Sequence, residues 1–374
     1  MGIVNLFADV TYEGGGAING AFLGSLGASA AAISIVAGGG EFVGYGLRAL
    51  SGYLADKTGR HWLITFCGYV VNLLAVPAMA LAGSWQVAAA LMFAERAGRA
   101  LRKPTVEAML SYTTDRYGRG WVYAVNTGLD ETGATLGPLA VAAVLYYKGS
   151  YPLAYALLLL SAFAALGALA AAYLRFPAPA KFASGDTAPA RGFAPSYWLF
   201  MGAAACFAAG LLSYELISFH LTRTGMASAV ATPVLLAFAT GSGVAASLVM
   251  GRAYDRFGLP VVLGAVVLSS LFAPLMFFGS FALVIVAMPL LGIGYAVQDT
   301  LLKAIVAGVL PAGRRNLAFG LFYAGYGCGW LAGSIAMGLL YERSQLALVL
   351  LAAAAQLASL PIFVIAQRRM SRTA

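Results

Sequence analysis

The stretch GYLADKTGRH, residues 52–61, puts four acidic or basic side chains into ten residues of a chain that is 61% hydrophobic and only 10% charged. A thinner copy, GRAYDRFG, follows at residues 251–258, with Gly, Asp and Gly at the same spacing. Charged side chains are costly to remove from water, and closely spaced glycines suit a tight turn. The stretch therefore predicts a short polar loop between apolar segments, and this loop occurs twice.

The rest of the chain has the composition of a polytopic membrane protein, with a mean hydropathy of +0.83 over 374 residues. A helix needs roughly 20 apolar residues to cross a bilayer, in which no water satisfies exposed backbone groups. The alternating segments of a transmembrane barrel are not found in the sequence. Twelve spans are predicted, at about residues 3–25, 28–53, 62–83, 85–111, 119–147, 151–175, 197–222, 228–253, 260–279, 281–309, 315–341 and 345–367.

Lys and Arg are distributed asymmetrically between the two sets of loops that these spans define. With both termini in the cytoplasm, the cytoplasmic segments hold fourteen of these residues and the outer loops only three. Cytoplasmic loops carry such an excess, so this orientation in the plasma membrane is predicted. The net charge of +9 then reflects topology and contact with the lipid bilayer, and no nucleic-acid partner is expected.

The chain divides into two related halves. Residues 176–196, rich in Pro, Ala and Gly, are predicted to be a cytoplasmic linker between residues 1–175 and 197–374, each with six spans. Gly52, Asp56 and Gly59 recur 199 residues later as Gly251, Asp255 and Gly258. The predicted fold is an all-α membrane protein of twelve helices in two pseudo-symmetric six-helix bundles, which is the plan of a secondary transporter.

Four short segments resemble motifs of the major facilitator superfamily. GYLADKTGRH is similar to its loop motif GxLaDrxGrk, and GRAYDRFG is similar to the weaker second copy of that motif. RAGRA at residues 96–100 resembles the fourth-helix motif, and GATLGP at residues 133–138 resembles the GxxxGP motif of antiporters. Leu259 and Pro260 depart from the pattern, because a basic pair is expected there.

The resemblance implies a twelve-helix transporter similar to the drug/proton antiporter branch, with a proton gradient as its energy source and no cofactor. It also assigns gating or motif roles to one group of residues: Gly52, Asp56, Gly59, Arg60, Gly251, Asp255, Gly258, Gly133, Gly137 and Pro138. Asp56 is expected to form a latch at the cytoplasmic mouth, with a basic residue near the start of the eleventh span or near the fourth.

Charged residues within the spans are candidates for function, because each costs several kcal/mol to insert, about 2.5–3.5 on insertion scales. On the first span, Asp9 and Glu13 share a face with Asn5 and two glycines. Glu13 lies halfway along this span and is interpreted as a proton or substrate site. The alternative is an ionised Glu13 that pairs with an arginine of the fourth span. Asp9 is left open between the same two roles.

The fourth span carries more charge than a helix facing lipid tolerates. Arg96 or Arg99 is expected to hold a proton-carrying acid or to clamp an anion, and the alternative is a structural pair involving Glu95. Lys103 and Glu107 recur 196 residues later as Asp299 and Lys303 with the signs reversed. Both pairs are interpreted as gate or scaffold pairs.

Further candidates come from the fifth span and from the second half. Asp130 shares a face with Gly133 and Gly137, and is interpreted as a proton site or a conformational latch; Glu131 points elsewhere. The second-half candidates are Glu215 on the seventh span, and Tyr295, Gln298 and Asp299 on the tenth.

Proton-coupled antiport of a small organic solute, by a monomer, is the leading functional hypothesis. The alternatives are an uptake symporter or facilitator for an anionic metabolite, a metal-cation transporter, and a receptor or scaffold without transport. No P-loop, HExxH or CxxC motif occurs, and the three cysteines lie singly, so neither an enzyme nor a bound metal is expected. The sequence does not identify the solute.

Overall fold

The computed structural model describes residues 1–58, 60–111, 119–177, 193–307 and 315–373, and within these ranges every regular element is helical. The helices are α1 (Gly2–Ser25), α2 (Ala30–Thr58), α3 (His61–Ala78), α4 (Trp85–Ser111), α5 (Arg119–Lys148), α6 (Tyr151–Arg175), α7 (Pro195–Gly210), α8 (Tyr214–Arg223), α9 (Ala231–Phe257), α10 (Leu259–Ser270), α11 (Phe272–Phe278), α12 (Phe281–Ala296), α13 (Leu302–Ala307), α14 (Arg315–Arg343) and α15 (Gln345–Thr373).

Each of the twelve predicted spans coincides with helix in the described residues, which confirms the all-α prediction. Eight of the spans in this part of the chain are long and apolar enough to cross a membrane. The helices α1, α4, α5 and α14 are not among the eight. They are nevertheless 24 to 30 residues long, and a rise of about 1.5 Å per residue carries such a helix across roughly 30 Å of hydrocarbon. Their polar and glycine-rich faces are therefore the places to look for a site.

Local sequence explains where several helices begin. Ser150 precedes α6 and accepts a hydrogen bond from the backbone N–H of Leu153 at 3.3 Å. Proline follows at the start of α6, α7 and α10, where its missing N–H is not needed. Gly258 separates α9 from α10 with a φ of +68°, a conformation that side chains with a Cβ rarely adopt. The second copy of the motif is therefore helical as far as Phe257 and turns only at its last glycine, so the polar loop predicted at residues 251–258 is shorter than expected.

Three spans predicted as continuous are interrupted. The span at 197–222 breaks at Leu211–Ser213, and the span at 260–279 breaks at Leu271. The span at 281–309 contains a π-helical turn, Val297–Leu301, which inserts one extra residue into the helix. At the first break, Gln356 donates a hydrogen bond from Nε2 to the carbonyl oxygen of Gly210 at 2.9 Å. This bond satisfies a carbonyl that the end of α7 leaves without a helical partner.

Contacts divide the chain into two compact units. The first comprises Met1–Ala28, Val43–Gly185 and Ser218–Ala237, and the second comprises Ser29–Phe42, Asp186–Ile217 and Phe238–Ala374. The boundary predicted from the sequence repeat, a linker at residues 176–196 between two halves, is a different division and stays a prediction. Most of that linker lies outside the described residues.

In the first unit, α1 packs against α5 and α3 packs against α4 at glycines. A Cβ on Gly133 would clash with the carbonyl oxygen of Leu6, and one on Gly137 with that of Val10. Small residues at four-residue intervals let helix backbones approach this closely. The apolar core of this unit joins α1, α3, α4 and α6 through Val4, Ala8, Tyr69, Leu73, Val106, Ala162, Ala165 and Leu169.

The second unit repeats the contact between α1 and α5 with different helices. Here α14 packs against α7, with Gly329 facing the carbonyl oxygen of Ala205 and Gly333 facing that of Ala209. These glycines lie 196 residues after their counterparts in α5, as the sequence repeat predicts. The same backbone contact is therefore built twice.

Candidate functional site

A cavity in the first unit lies between α1, α3 and α4. It has an empty volume of about 300 Å³, its open mouth included. Charged residues of both signs line it together with aromatic and apolar groups: Tyr12, Glu13, Gly15, Gly16, Asn19, Val76, Met79, Glu95, Arg96 and Arg99. Four of the residues predicted from the sequence thus meet at one concave surface.

Glu95 is the centre of the hydrogen bonds beside this cavity. Arg99 donates to it through Nε at 3.1 Å and through Nη2 at 3.3 Å. Asn72 donates from Nδ2 to Oε1 of the same carboxylate at 2.9 Å. The Nε atom of Arg96 lies 3.4 Å from Oε2. A carboxylate that is only 5% exposed is stabilised by such charge-assisted bonds, because burial without them is strongly unfavourable.

A second layer of the site lies behind Glu95 and is organised around Arg102. Its Nε donates to Oδ1 of Asn72 at 3.2 Å. Its guanidinium carbon lies 4.5 Å from the ring centre of Tyr69 and 5.6 Å from that of Tyr12. Arg99 lies over Tyr12 as well, at 4.4 Å, so this ring is shared by two cations. Cation–π contacts of this kind stabilise buried guanidinium groups.

From Tyr69 a chain of hydrogen bonds runs to the fifth span. The Tyr69 hydroxyl donates to Oδ1 of Asn5 at 2.5 Å, and Asn5 donates from Nδ2 to Oδ1 of Asn126 at 3.1 Å. Asn126 then donates from Nδ2 to Oδ2 of Asp130, also at 3.1 Å. The other carboxylate oxygen of Asp130 is buried and has no hydrogen-bond partner in the described part of the protein. The chain thus ends at an acid with unused acceptor capacity.

Asp9 belongs to the same group of residues. It is 7% exposed, lies near the side chain of Tyr12, and lies within range of the charges of Arg102 and Asp130. Its position follows from the glycine contact, because a Cβ on Gly133 would lie only 2.8 Å from the Cβ of Asp9. The close approach of α1 and α5 therefore brings two acids from different helices together.

The second unit holds its candidate residues in a different environment. Gln298 lies in the π-helical turn and accepts a hydrogen bond from the Tyr326 hydroxyl at 2.8 Å. Asp299 lies in the same turn, and Tyr295 lies near the end of α12. Glu215 is buried in the first turn of α8. A π-helical turn often marks a functional site, so the prediction of Gln298 and Asp299 gains a structural reason.

The residues with predicted gating or motif roles lie at different places in the structure. Arg60 is exposed before α3, Asp255 is exposed on α9, and Lys103 is exposed on α4. Gly52 faces Pro104, and Gly251 faces Thr300, both at ordinary van der Waals distance. Glu131 is half-buried on α5 and is not among the residues that line the cavity, and Pro138 is buried inside the same helix. Gly59 and the side chains of Asp56, Glu107 and Lys303 lie outside the described residues, so the predicted latch and pairs stay predictions.

Three residues at the centre of the site were not predicted from the sequence. Asn72 and Tyr69 lie on α3, and Tyr12 lies on α1 between Asp9 and Glu13. The signal that could have indicated Asn72 is a single amide in an otherwise apolar span, which is costly unless it is hydrogen-bonded. Tyr12 and Tyr69 carry no such signal, because tyrosine is common in membrane helices.

Comparison with known proteins agrees with this architecture. The chain is 35% identical over 368 residues to an uncharacterized protein of Mycobacterium tuberculosis, a match that covers 96% of this chain and 90% of that protein. It is 26% identical over 336 residues to an uncharacterized MFS-type transporter of Methanocaldococcus jannaschii, covering 86% and 82% of the two chains.

Solved structures share the fold at low sequence identity. A POT family transporter in complex with 5-aminolevulinic acid gives a TM-score of 0.78 at 12% identity, covering 98% of this chain and 95% of that one. A nucleoside transporter gives a TM-score of 0.73 at 14% identity, covering 99% and 97%. The sequence profile of the Major Facilitator Superfamily matches residues 2–259 and 193–373. Because these matches extend over the whole chain, it belongs to the Major Facilitator Superfamily and is a secondary transporter.

Proposed function

We propose that this protein is a proton-coupled antiporter of the drug/proton antiporter-like branch, which exports a small organic solute across the plasma membrane by alternating access. It works as a monomer with both termini in the cytoplasm. The observation that carries the proposal is that Glu13 and Glu95 line one cavity with Arg96 and Arg99. A proton and a solute that both interact with this cavity change each other's occupancy, which is what exchange requires.

Glu13 is the proposed proton carrier. Glu95 already accepts hydrogen bonds from Arg99 and Asn72, so protonating it requires these bonds to be rearranged. Glu13 lies on the α1 side of the cavity, whereas Glu95 lies on the α4 side. Glu13 directly follows Tyr12, whose ring is in contact with the guanidinium groups of Arg99 and Arg102. A proton on Glu13 alters the charge of the cavity while the carboxylate of Glu95 keeps its own charge.

The same contacts disfavour the anion-clamp alternative. Arg99 directs two of its N–H groups to Glu95 and lies over the ring of Tyr12, while Arg96 also lies beside Glu95. An anionic solute at these guanidinium groups would have to share them with the carboxylate of Glu95. A neutral or cationic organic solute can instead interact with the carboxylates and the tyrosine ring that line the cavity.

Transport into proteoliposomes tests the proposal, with tetraphenylphosphonium as the probe and with or without a pH gradient. We expect the gradient to drive probe accumulation, and Glu13→Gln to reduce that accumulation to the level of protein-free liposomes. Glu342→Gln, a carboxylate lost from an exposed position at the end of α14, is the matched control and should behave as the native protein does.

Two results would contradict this function. One is Glu13→Gln transport with an unchanged response to the pH gradient. The other is thermal stabilisation of the purified protein by carboxylates or phosphates but not by lipophilic cations, since a ligand that binds the folded state raises its unfolding temperature. The second result would favour uptake of an anionic metabolite.

A further inference from the structure

Asn72 connects the cavity to the group of charges behind it. The residue is completely buried in α3. Its Nδ2 donates to Oε1 of Glu95 at 2.9 Å and to the backbone carbonyl oxygen of Glu95 at 3.3 Å. Its Oδ1 accepts from Nε of Arg102 at 3.2 Å. One amide therefore bonds an acid of the cavity wall at one end and a cation of the second layer at the other.

The orientation of this amide is fixed by its two neighbours. A carboxylate only accepts hydrogen bonds and a guanidinium only donates them, so a flipped amide would place donor against donor and acceptor against acceptor. The backbone is held as well, because a Cβ on Gly98 would clash with the backbone of Asn72. Asn72 thus has one favourable position, and its bonds depend on where Glu95 and Arg102 lie.

Arg102 extends the connection to the acids of α1 and α5. Its guanidinium contacts the rings of Tyr69 and Tyr12 and acts on the charges of Asp9 and Asp130. Low local dielectric makes the interactions among such groups strong, and a change at one member is felt by the others. One route from Glu95 to Asp9 therefore passes through the amide of Asn72 and through Arg102, and a second passes through Arg99 and the ring of Tyr12.

We infer that Asn72 is a positioning residue that couples the carboxylate of Glu95, in the cavity, to Arg102 and through it to Asp9 and Asp130. The inference rests on the proposed function, because it assigns the residue that transmits a change in the cavity to a second pair of acids. When Glu95 changes its partners, the amide loses or regains a bond, and Arg102 moves relative to the two aspartates.

Several ionisable groups surround this amide and its two partners, and the charge of each contributes to the electrostatic field at Asp9. They are Asp9, Tyr12 and Glu13 on α1, Tyr69 on α3, Arg96, Arg99 and Lys103 on α4, and Asp130 on α5. The test must therefore isolate the part that depends on Asn72.

A double-mutant cycle read by infrared spectroscopy provides that test. The carboxyl stretching bands of the full chain in lipid are titrated over roughly pH 4 to 10, and Asp9→Asn identifies the band of Asp9. Glu95→Gln is then made in the native background and in the Asn72→Leu background. With Asn72 present, we expect Glu95→Gln to move the pH midpoint of the Asp9 band by about 1 pH unit. In the Asn72→Leu background the shift should fall to less than half of that.

Asn72→Ala is a second variant, in case the leucine substitution prevents folding. It removes both hydrogen-bonding ends of the amide and adds no carboxyl band, so the same loss of coupling is expected. Thr65→Val is the matched control: Thr65 is buried in the same contact between α3 and α4 and donates to Thr105 at 2.7 Å, with no charged partner. It should leave the shift intact.

Three outcomes would overturn the inference: equal shifts in the native and Asn72→Leu backgrounds, an Asp9 band that does not titrate, or the loss of the shift in Thr65→Val. None of these measurements involves transport. Proton-independent transport together with an intact cycle would refute the proposed function alone, and proton-coupled transport with a failed cycle would refute this inference alone.

Discussion

The helix α1 and the interrupted span of α7 and α8 have equivalent backbone contacts but different chemistry. The carbonyl oxygens of Leu6 and Val10 face glycines of α5, and those of Ala205 and Ala209, 199 residues later, face glycines of α14. The same shift places Ala204, Ala208 and Leu212 where α1 has Asn5, Asp9 and Glu13.

This difference separates two kinds of information in the repeat. Glycine positions specify how closely two helices approach, and they are present in both halves. Polar residues specify what the resulting interface can bind. Beside the glycine contacts they are found on α1, whereas the buried acid of the second span, Glu215, lies beyond the break, in α8. The counterpart of Glu13 falls within the break at Leu211–Ser213, where the helix itself does not continue. The repeat thus preserves packing without preserving charge.

The largest expected difference in stability between equivalent positions is the one between Arg102 and Gln298, which lies 196 residues later. Arg102→Leu removes the cation beside Asn72 and near Asp9, and should lower the free energy of unfolding by about 3–5 kcal/mol. Gln298→Leu removes one neutral hydrogen bond from Tyr326 and should cost about 1 kcal/mol. Equilibrium unfolding in detergent measures both.

The comparison between the halves would fail here if the two substitutions cost the same. Arg60→Leu, at an exposed position before α3, serves as the control for loss of a positive charge. Exposed substitutions of this kind usually change stability by no more than about 0.5 kcal/mol.

The glycine contacts should behave alike in both halves. Gly137→Ala and Gly333→Ala each place a Cβ against a backbone carbonyl oxygen of the neighbouring helix, and overpacking of this kind costs about 1–3 kcal/mol. Unfolding measurements should therefore give two similar losses, in contrast to the first pair.

Gly128→Ala is the matched control on α5, because no atom lies within 4 Å of its Cβ position. There the better helix propensity of alanine should leave stability unchanged or raise it by up to about 1 kcal/mol. A large loss at only one of Gly137 and Gly333 would show that the backbone contacts of the halves are not equivalent.

The smallest expected effect concerns two tyrosines. Tyr326→Phe removes the hydroxyl that donates to Gln298 and should cost about 0.5–1.5 kcal/mol, and Tyr12→Phe, which removes a hydroxyl near Asp9, should cost no more than that. Tyr12→Leu also removes the ring from Arg99 and Arg102, so it should cost about 0.5–2 kcal/mol more than Tyr12→Phe. Unfolding of the three variants side by side measures the difference, which should vanish if the cation–π contacts contribute nothing.

The fold was predictable because its signals are local. Long apolar segments predicted the helices. The spacing of Gly133 and Gly137 indicated a close packing face between the two bundles, whereas these glycines lie against α1 within the first unit. The interruptions at Leu211–Ser213 and Val297–Leu301 were not predicted. The first of them is held by a hydrogen bond from the distant Gln356, which is a tertiary effect.

The candidate site was predictable in part. The spacing on α1 and the charge density of α4 identified Glu13, Glu95, Arg96 and Arg99, which line one cavity. The role of Asn72 could not be derived, because it depends on α3 approaching α4 closely enough for one amide to reach two charged groups. A sequence shows which residues are costly to bury, whereas the partners that offset this cost belong to other helices.

The π-helical turn at Val297–Leu301 has a consequence for how this span tolerates insertions and deletions. The turn holds one residue more than regular α-helix would, and each residue rotates a helix by about 100°. Deleting one residue within the turn would leave the phase of the flanking segments unchanged, whereas a deletion elsewhere in α12 would rotate everything that follows. The span therefore carries a spare residue at the position where Gln298 meets Tyr326.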